Sequence, residues 1–146
     1  MVVFLDTSTL VKLYYKESDS EQLVNVISKI ADEIFLFEIS KVEFASAIWK
    51  KVRTGDIEQE TAVKVISCFE SDYETFNWLF ADSNIIEISR NLFKKYGLTS
   101  LRTLDALQLG ACISAKSEID VFLTNDIFLK ELFEKEDLAT SIDKLK

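Results

Sequence analysis

The sequence contains no histidine, and this absence excludes several classes of enzyme. Without an imidazole the chain has no Ser-His-Asp triad, no Cys-His nucleophile pair and no zinc site built on histidine. It also has only three glycines, and they are too sparse along the chain for a Walker loop or a dinucleotide-binding fingerprint. The acid and base chemistry that remains is that of carboxylates, of which the chain has 25.

Proline is also absent, and no repeat or low-complexity linker interrupts the chain, so we expect residues 1–146 to form one domain. The two cysteines, Cys68 and Cys112, are far apart in apolar helical patterns, which predicts core residues and no disulfide or zinc site. No apolar run approaches the roughly 18 residues that a membrane span needs. A strand pattern begins at Val2, where a leader peptide would lie. These features predict a soluble, cytoplasmic protein without membrane contact.

Positive charge is scarce, because 17 Lys and Arg stand against 25 Asp and Glu, for a formal net charge of −8. This balance argues against the broad basic face of many nucleic-acid-binding proteins. It leaves open an enzyme that holds nucleic acid through divalent metal and a local basic strip, drawn from Lys50, Lys51 and Arg53 or from Lys94 and Lys95. Both clusters also fit solvated helix ends, where cations lie near the negative end of the helix dipole.

Short apolar segments alternate with helical patterns, which is typical of an α/β sandwich with a mostly parallel sheet. Strands are predicted at 2–5, 34–37, 76–80 and 121–124, with a short last strand at 138–142. Helices are predicted at 9–15, 19–32, 41–55, 56–75, from 82 or 83 to 97, and at 102–116 and 127–133. We expect Ser8 or Thr7 to cap the first helix, and the periodicity predicts that Val42 and Leu104 are buried.

Four carboxylates lie where an apolar pattern would not predict a charge. Asp6 ends the first strand, Glu43 lies in the first turn of a helix entered from the second strand, Asp105 interrupts "TLDALQL", and Asp126 follows "VFLT". Strand ends and the helix starts that follow them share one edge of a parallel sheet, so these four groups are expected to converge.

Convergence of carboxylates carries an energetic cost that points to a cation. Two carboxylates about 4 Å apart repel by roughly 4 kcal/mol at an effective dielectric constant near 20. They must therefore gain protons or bind metal. All-oxygen ligation without His or Cys selects hard ions such as Mg²⁺ or Mn²⁺.

Each of these acids also has an ordinary structural interpretation. Glu43 stands three residues after Ser40, the spacing of a capping box, and Asp126 fits the N-cap of the helix that follows it. Asp6 fits an Asx-turn. Asp105 is harder to explain in this way, because apolar residues surround it and a buried carboxylate needs a partner.

Four segments together resemble the acidic motifs of the PIN domain family, in particular the VapC-type toxins of toxin–antitoxin pairs. The segments are "FLDTSTLVKLYY", "ISKVEFASAIWKK", "LRTLDALQLGACISAK" and "VFLTND", in the family's order and at its usual separations. The sequence departs from many relatives at Gln108, where they carry histidine, and in the loop after Tyr15, which lacks their common proline. Neither departure changes one of the acids.

The resemblance implies a three-layer α/β/α sandwich around a parallel sheet of four to five strands in the order 3-2-1-4-5. It also implies a Mg²⁺- or Mn²⁺-dependent endoribonuclease that cleaves the phosphodiester bonds of RNA. Asp6 and Asp105 would then be the principal metal ligands, Glu43 a ligand or a water-orienting base, and Asp126 a ligand directly or through water.

Six further residues have supporting roles in this interpretation. Thr124 would orient a carboxylate or water, with Asn125 beside it, and Thr7 and Ser8 would either cap the first helix or hold the Asp6 carboxylate. Lys12 or Arg102 would steady the phosphate of the substrate. Surface ion pairs worth under about 1 kcal/mol are the competing interpretation of these two cations.

The resemblance also implies partners. Relatives are commonly homodimers and are silenced by a small antitoxin with a DNA-binding N-terminus, and a net charge of −8 suits a basic partner. Two other functions compete with this one: a PIN-fold module that binds RNA or regulates without catalysis, and a structure-specific DNA nuclease. Retention of all four acids argues against the first, and the absence of additional acids and large insertions argues against the second.

Overall fold

In the computed structural model, which describes residues 1–141, four parallel strands form a sheet. The strands are β1 (Val2–Leu5), β2 (Glu33–Phe37), β3 (Asn77–Leu79) and β4 (Val121–Leu123), in the order β3-β2-β1-β4. Val3 pairs with Ile34 of β2 and with Val121 of β4, so β1 is central and has a neighbour on each side. The predicted order is thus confirmed for these four strands.

Seven helices lie in the described part of the chain, and they cover the two faces of the sheet. A short 3₁₀ turn at Tyr73–Thr75 leads into β3. The helices are α1 (Thr7–Tyr14), α2 (Ser20–Ile30), α3 (Ser40–Arg53), α4 (Gln59–Ser71), α5 (Ser83–Tyr96), α6 (Thr103–Ser114) and α7 (Ile127–Lys135). None of them is long and apolar enough to cross a membrane.

Alternation along β1 builds one core on each face of the sheet. Val3 and Leu5 pack among α1 to α4, whereas Phe4 packs among α5 to α7, and all three side chains are fully buried. Successive side chains of a strand point to opposite faces, so a strand covered on both sides is apolar at every position. Each of these side chains contributes roughly 1.5–3 kcal/mol through its burial. The three-layer α/β/α architecture is therefore confirmed.

The structure corrects several local predictions. The cap of α1 is Asp6, whose side chain accepts the Thr9 N–H at 3.0 Å, and neither Thr7 nor Ser8. The predicted helix at 56–75 breaks, because α4 ends at Ser71 and the 3₁₀ turn follows. Cys68 is exposed on α4, whereas Cys112 is buried as predicted.

Two further predictions about residues at the starts of helices are wrong. Val42 is 69% exposed and Leu104 is 47% exposed. Val42 lies two residues from both Ser40 and Phe44, which are fully buried, so it faces away from the core. Ser40 is not the N-cap of α3: it is the first residue of the helix, follows Ile39, and makes no cap hydrogen bond through its side chain.

The predicted fifth strand does not form within residues 138–141, and position 142 lies outside the described residues. The segment nevertheless runs beside the outer edge of β4, because the Phe122 N–H donates to the Ala139 carbonyl oxygen at 2.8 Å. This contact covers part of an edge that would otherwise be left unpaired.

Candidate active site

Asp6 stands at the centre of the carboxyl edge of the sheet, directly after β1, and is only 4% exposed. Its carboxylate accepts hydrogen bonds from the Thr9 N–H at 3.0 Å, from Ser8 Oγ at 2.8 Å and from Thr124 Oγ1 at 2.6 Å. Burial raises the pKa of Asp6, and these hydrogen bonds oppose the rise without cancelling it. The donors therefore fix the carboxylate in one orientation.

Glu43 lies in the first turn of α3, where the entry from β2 brings it to the same edge. Its Oε1 accepts hydrogen bonds from Gln108 Nε2 at 2.8 Å and from Thr7 Oγ1 at 3.1 Å. Burial raises the pKa of Glu43, and the negative charges of Asp6 and Asp105 raise it further. We call Asp6 and Glu43 the inner pair.

Asp105 and Asp126 form a second, more open group, which we call the outer pair. They line one cleft together with Ser100, Arg102 and Phe128. The Asp105 side chain accepts the Arg102 backbone N–H at 3.2 Å, and the Asp126 side chain caps α7 by accepting the Leu129 N–H at 2.9 Å. Partial burial raises the pKa of Asp105, and the neighbouring charge of Asp126 adds to the rise.

Thr124 joins the two pairs. Its hydroxyl donates to the carboxylate of Asp6 and accepts the backbone N–H of Asp126 at 3.0 Å. Ser8 has a similar position, because its Oγ donates to Asp6 and accepts the backbone N–H of Asn125 at 3.0 Å. Both hydroxyls thus hold the Asp6 carboxylate, and the part of Asn125 that contacts Ser8 is its backbone.

The two candidate phosphate-binding cations differ in their surroundings. Lys12, in the last turn of α1, forms ion pairs with Asp19 and, at 3.8 Å, with Glu17, so it is already engaged with the loop between α1 and α2. Arg102 is exposed and lines the cleft of the outer pair. Of the two, Arg102 is the one whose position beside the acids suits contact with a substrate phosphate.

The four acids influence one another electrostatically but do not form a ready-made metal cage. Among residues 1–141, no three His, Cys, Asp or Glu side chains are grouped closely enough to hold one ion between them. Mg²⁺ does not require such a cage, because it commonly binds through one or two carboxylates and keeps several waters. The all-oxygen donors and their shared negative charge fit a hard cation of this kind, held by one or two of Asp6, Glu43, Asp105 and Asp126.

Two residues of the site escaped the sequence interpretation. Ser40 is fully buried and accepts hydrogen bonds from Thr7 Oγ1 and Gln108 Nε2, both at 3.0 Å. Gln108 is 3% exposed on α6, three residues after Asp105 and on the same side of the helix. The available signal was a polar residue inside a strongly apolar helix, where its side chain needs a hydrogen-bond partner.

A four-stranded parallel sheet in the order β3-β2-β1-β4, covered by helices on both faces, is the α/β/α fold of a PIN-like domain. The PIN domain family model matches residues 3–134, and the chain belongs to this family. No curated protein sequence matches the chain significantly.

Solved structures share the fold at low sequence identity. VapC20 of Mycobacterium tuberculosis, described as a sarcin–ricin loop cleaving toxin, is 11% identical with a TM-score of 0.68, and the alignment covers 89% of this chain and 94% of VapC20. FitAcB from Neisseria gonorrhoeae is 16% identical with a TM-score of 0.70 over 94% and 95% of the two chains. VapBC2 from Rickettsia felis, bound to a promoter DNA fragment, is 17% identical with a TM-score of 0.64 over 97% and 98%.

Proposed function

We propose that this protein is a Mg²⁺- or Mn²⁺-dependent endoribonuclease and the toxin of a VapBC-type toxin–antitoxin pair. The observation that carries the proposal is the placement of the acids at one edge of the sheet, where the Thr124 hydroxyl contacts both the Asp6 carboxylate and the Asp126 N–H, and where Asp105 and Asp126 line one cleft. Asp6 and Asp105 raise the pKa of Glu43, and Asp126 raises the pKa of Asp105. Such uncompensated negative charge is typical of a site that binds a cation.

The residues of the chain have distinct parts in the proposed reaction. A bound Mg²⁺ or Mn²⁺ supplies a water of lowered pKa and neutralises charge that develops on the phosphate. Asp6, locked by Thr124 and Ser8, would hold the cation together with one of the other acids. Arg102 would contact a phosphate at the mouth of the outer cleft.

Proton transfer in this chain has to use carboxylates or water, because the sequence has no histidine. Glu43 suits this task, since burial and neighbouring negative charge raise its pKa toward the range in which a carboxylate accepts a proton. Glu43, which would also help Asp6 to hold the cation, would therefore orient the attacking water and take up its proton.

RNA as substrate and an antitoxin as partner are supported by the relatives. VapC20 is described as a sarcin–ricin loop cleaving toxin, and a toxin–antitoxin complex from Klebsiella pneumoniae shares the fold. A net charge of −8 suits a small basic antitoxin. We propose further that the protein acts in the cytoplasm as a homodimer. A neighbouring gene for a short protein with a DNA-binding N-terminus and a basic tail is expected.

The test is cleavage of RNA by the purified protein, freed of any partner, in Mn²⁺. Asp105→Asn is expected to remove most of the activity while the fold stays intact. Asp82→Asn is the control, because Asp82 also accepts a backbone N–H at the start of a helix, that of Ile85 at 2.9 Å, but lies outside the site. RNA binding that neither cleaves nor responds to Asp105→Asn would instead identify a non-catalytic binding module.

A further inference from the structure

Gln108 is a buried amide at the centre of the polar network of the site. It is 3% exposed, and its Nε2 lies 2.8 Å from Glu43 Oε1, 3.0 Å from Ser40 Oγ and 3.3 Å from Thr7 Oγ1. An amide nitrogen carries two hydrogens, so three oxygens share two donors. The shortest of the three contacts is the one to the carboxylate, which makes Glu43 the principal acceptor.

Thr7 completes the support of the same carboxylate oxygen. Its hydroxyl lies 3.1 Å from Glu43 Oε1 and 3.0 Å from Ser40 Oγ. Ser40 is the first residue of α3 and Glu43 lies in the first turn of that helix, so the network ties the start of α3 to α1 and α6. Glu43 is thus held through one oxygen by donors from two other helices.

The other end of the Gln108 amide has no such support. Its Oε1 is buried and has no hydrogen-bond partner within the described part of the chain. Exchanging the positions of its oxygen and nitrogen would bring a carbonyl against a carboxylate, two groups that only accept. The observed orientation therefore serves Glu43 at the expense of the amide's own carbonyl, which is unfavourable for stability. An apolar side chain at this position would avoid that unpaired carbonyl.

We propose that Gln108 is a positioning residue, which holds Glu43 in the orientation that receives the divalent cation. This inference rests on the proposed function and assigns a role to a residue that neither supplies a ligand nor contacts the reacting phosphate. Residues that orient a metal ligand in this way typically change metal affinity by about 10–100-fold when they are removed. Replacing Gln108 with an apolar residue is expected to leave folding stability unchanged or improved, because the replacement also removes the unpaired carbonyl.

The test measures Mn²⁺ affinity by titration calorimetry and the melting temperature of the metal-free protein. Gln108→Met is expected to weaken Mn²⁺ binding about tenfold or more without lowering the melting temperature. Gln108→His retains an N–H donor, removes the carbonyl and is expected to restore most of the affinity. Leu109→Ala is the control, because Leu109 follows Gln108 on α6 and is fully buried in the apolar core, so it is expected to lose stability but no affinity.

Wild-type Mn²⁺ affinity in Gln108→Met would overturn the inference and leave Gln108 an ordinary structural residue. If Gln108→Met does not fold, Thr7→Val removes the second donor to the same oxygen at nearly constant shape, and it is expected to weaken Mn²⁺ binding in the same direction. A wild-type protein that binds no Mn²⁺ also overturns the inference. RNA cleavage is measured on the same samples. If the wild type does not cleave RNA but Gln108→Met weakens its Mn²⁺ binding, only the proposed function is contradicted. If the wild type cleaves RNA and Gln108→Met leaves Mn²⁺ binding unchanged, only the inference is contradicted.

Discussion

The inner and outer pairs of acids lie at the same edge of the sheet but differ in the hydrogen bonds that hold them. Asp6 caps α1 through the Thr9 N–H, but each inner acid also accepts a hydrogen bond from a side chain of a distant element: Asp6 from Thr124 after β4, and Glu43 from Gln108 on α6. Asp105 and Asp126 accept backbone N–H groups three residues away in their own helix starts. The inner pair therefore depends on the tertiary structure, whereas the outer pair is positioned by local helix geometry.

The difference shows how the fold keeps negative charge available. Neutral hydroxyl and amide donors fix the inner carboxylates and leave their negative charge in place. An Arg or Lys partner would cancel that charge. Burial then makes that charge unfavourable until a cation arrives, which is reflected in the raised pKa values of Asp6 and Glu43. The outer carboxylates combine a capping role with their charge, so removing them has two separable effects.

The largest expected effect is on RNA cleavage, and it distinguishes the pairs. Asp6→Asn is expected to lower kcat in Mn²⁺ at least about 100-fold, the equivalent of about 3 kcal/mol of lost charge stabilisation. Asp126→Asn, at a more exposed position, is expected to lower it about tenfold. Initial rates on one RNA substrate, with circular dichroism to verify folding, measure both. Equal losses at the two positions would contradict the distinction between the pairs.

Stability in the absence of metal is expected to change in the opposite direction at Asp6. Asp6→Asn removes a buried charge but keeps a side chain that caps α1 equally well, so the metal-free protein should gain on the order of 1 kcal/mol. Urea unfolding of both proteins in a chelator provides the comparison. The matched exposed substitution, Asp126→Asn, should change the free energy of unfolding by less than about 0.5 kcal/mol. Destabilisation by Asp6→Asn would show that the hydrogen bonds to Asp6 outweigh its burial.

The pH dependence of metal-free stability follows from the same raised pKa values. Asp6, Glu43 and Asp105 hold protons in the folded state at pH values where the unfolded chain, with its ordinary Asp pKa of 3.8 and Glu pKa of 4.5, has lost them. Their contribution to stability is full below these ordinary values and is lost as pH rises through the raised ones.

Wild type should therefore lose stability relative to Asp6→Asn as pH rises above the ordinary Asp pKa of 3.8 toward neutrality. Several exposed carboxylates, such as Asp19 and Glu87, have lowered pKa values and act in the opposite direction, so the difference between the two proteins is the informative quantity. Melting curves across this range measure it, and added Mn²⁺ should reduce the difference by binding the wild type. A difference that is constant with pH would contradict the raised pKa of Asp6.

The contrast between the pairs also explains what could be predicted from sequence. Asp6 and Asp126 follow apolar runs, and their positions depend on where a strand ends, which periodicity reveals. Gln108 and Ser40 meet only because α6 and α3 pack near each other across 68 positions of sequence, and no local pattern encodes that contact. The spacing of Ser40 and Glu43 instead suggested a capping box, a local alternative that tertiary hydrogen bonds displaced.

Exposure at the helix starts was unpredictable for a related reason. Val42 and Leu104 are predicted on buried faces because they are apolar, but the buried face of α3 carries Ser40, Phe44 and Ile48, and Val42 does not lie on it. The order of the strands was recoverable through the PIN resemblance, since hydrophobic runs alone do not specify which strands are neighbours.

The smallest expected effect separates the capping role of Asp126 from its charge. Asp126 and Asp82 make the same contact at 2.9 Å to a backbone N–H three residues later, but only Asp126 lines the cleft. In a chelator, alanine at either position should cost about 1 kcal/mol and asparagine only a few tenths. In Mn²⁺, Asp126→Asn should lose part of the metal-induced rise in melting temperature, whereas Asp82→Asn should keep all of it. If both asparagine variants keep the full rise, Asp126 is only a helix cap, and the outer pair contributes to cation binding through Asp105 alone.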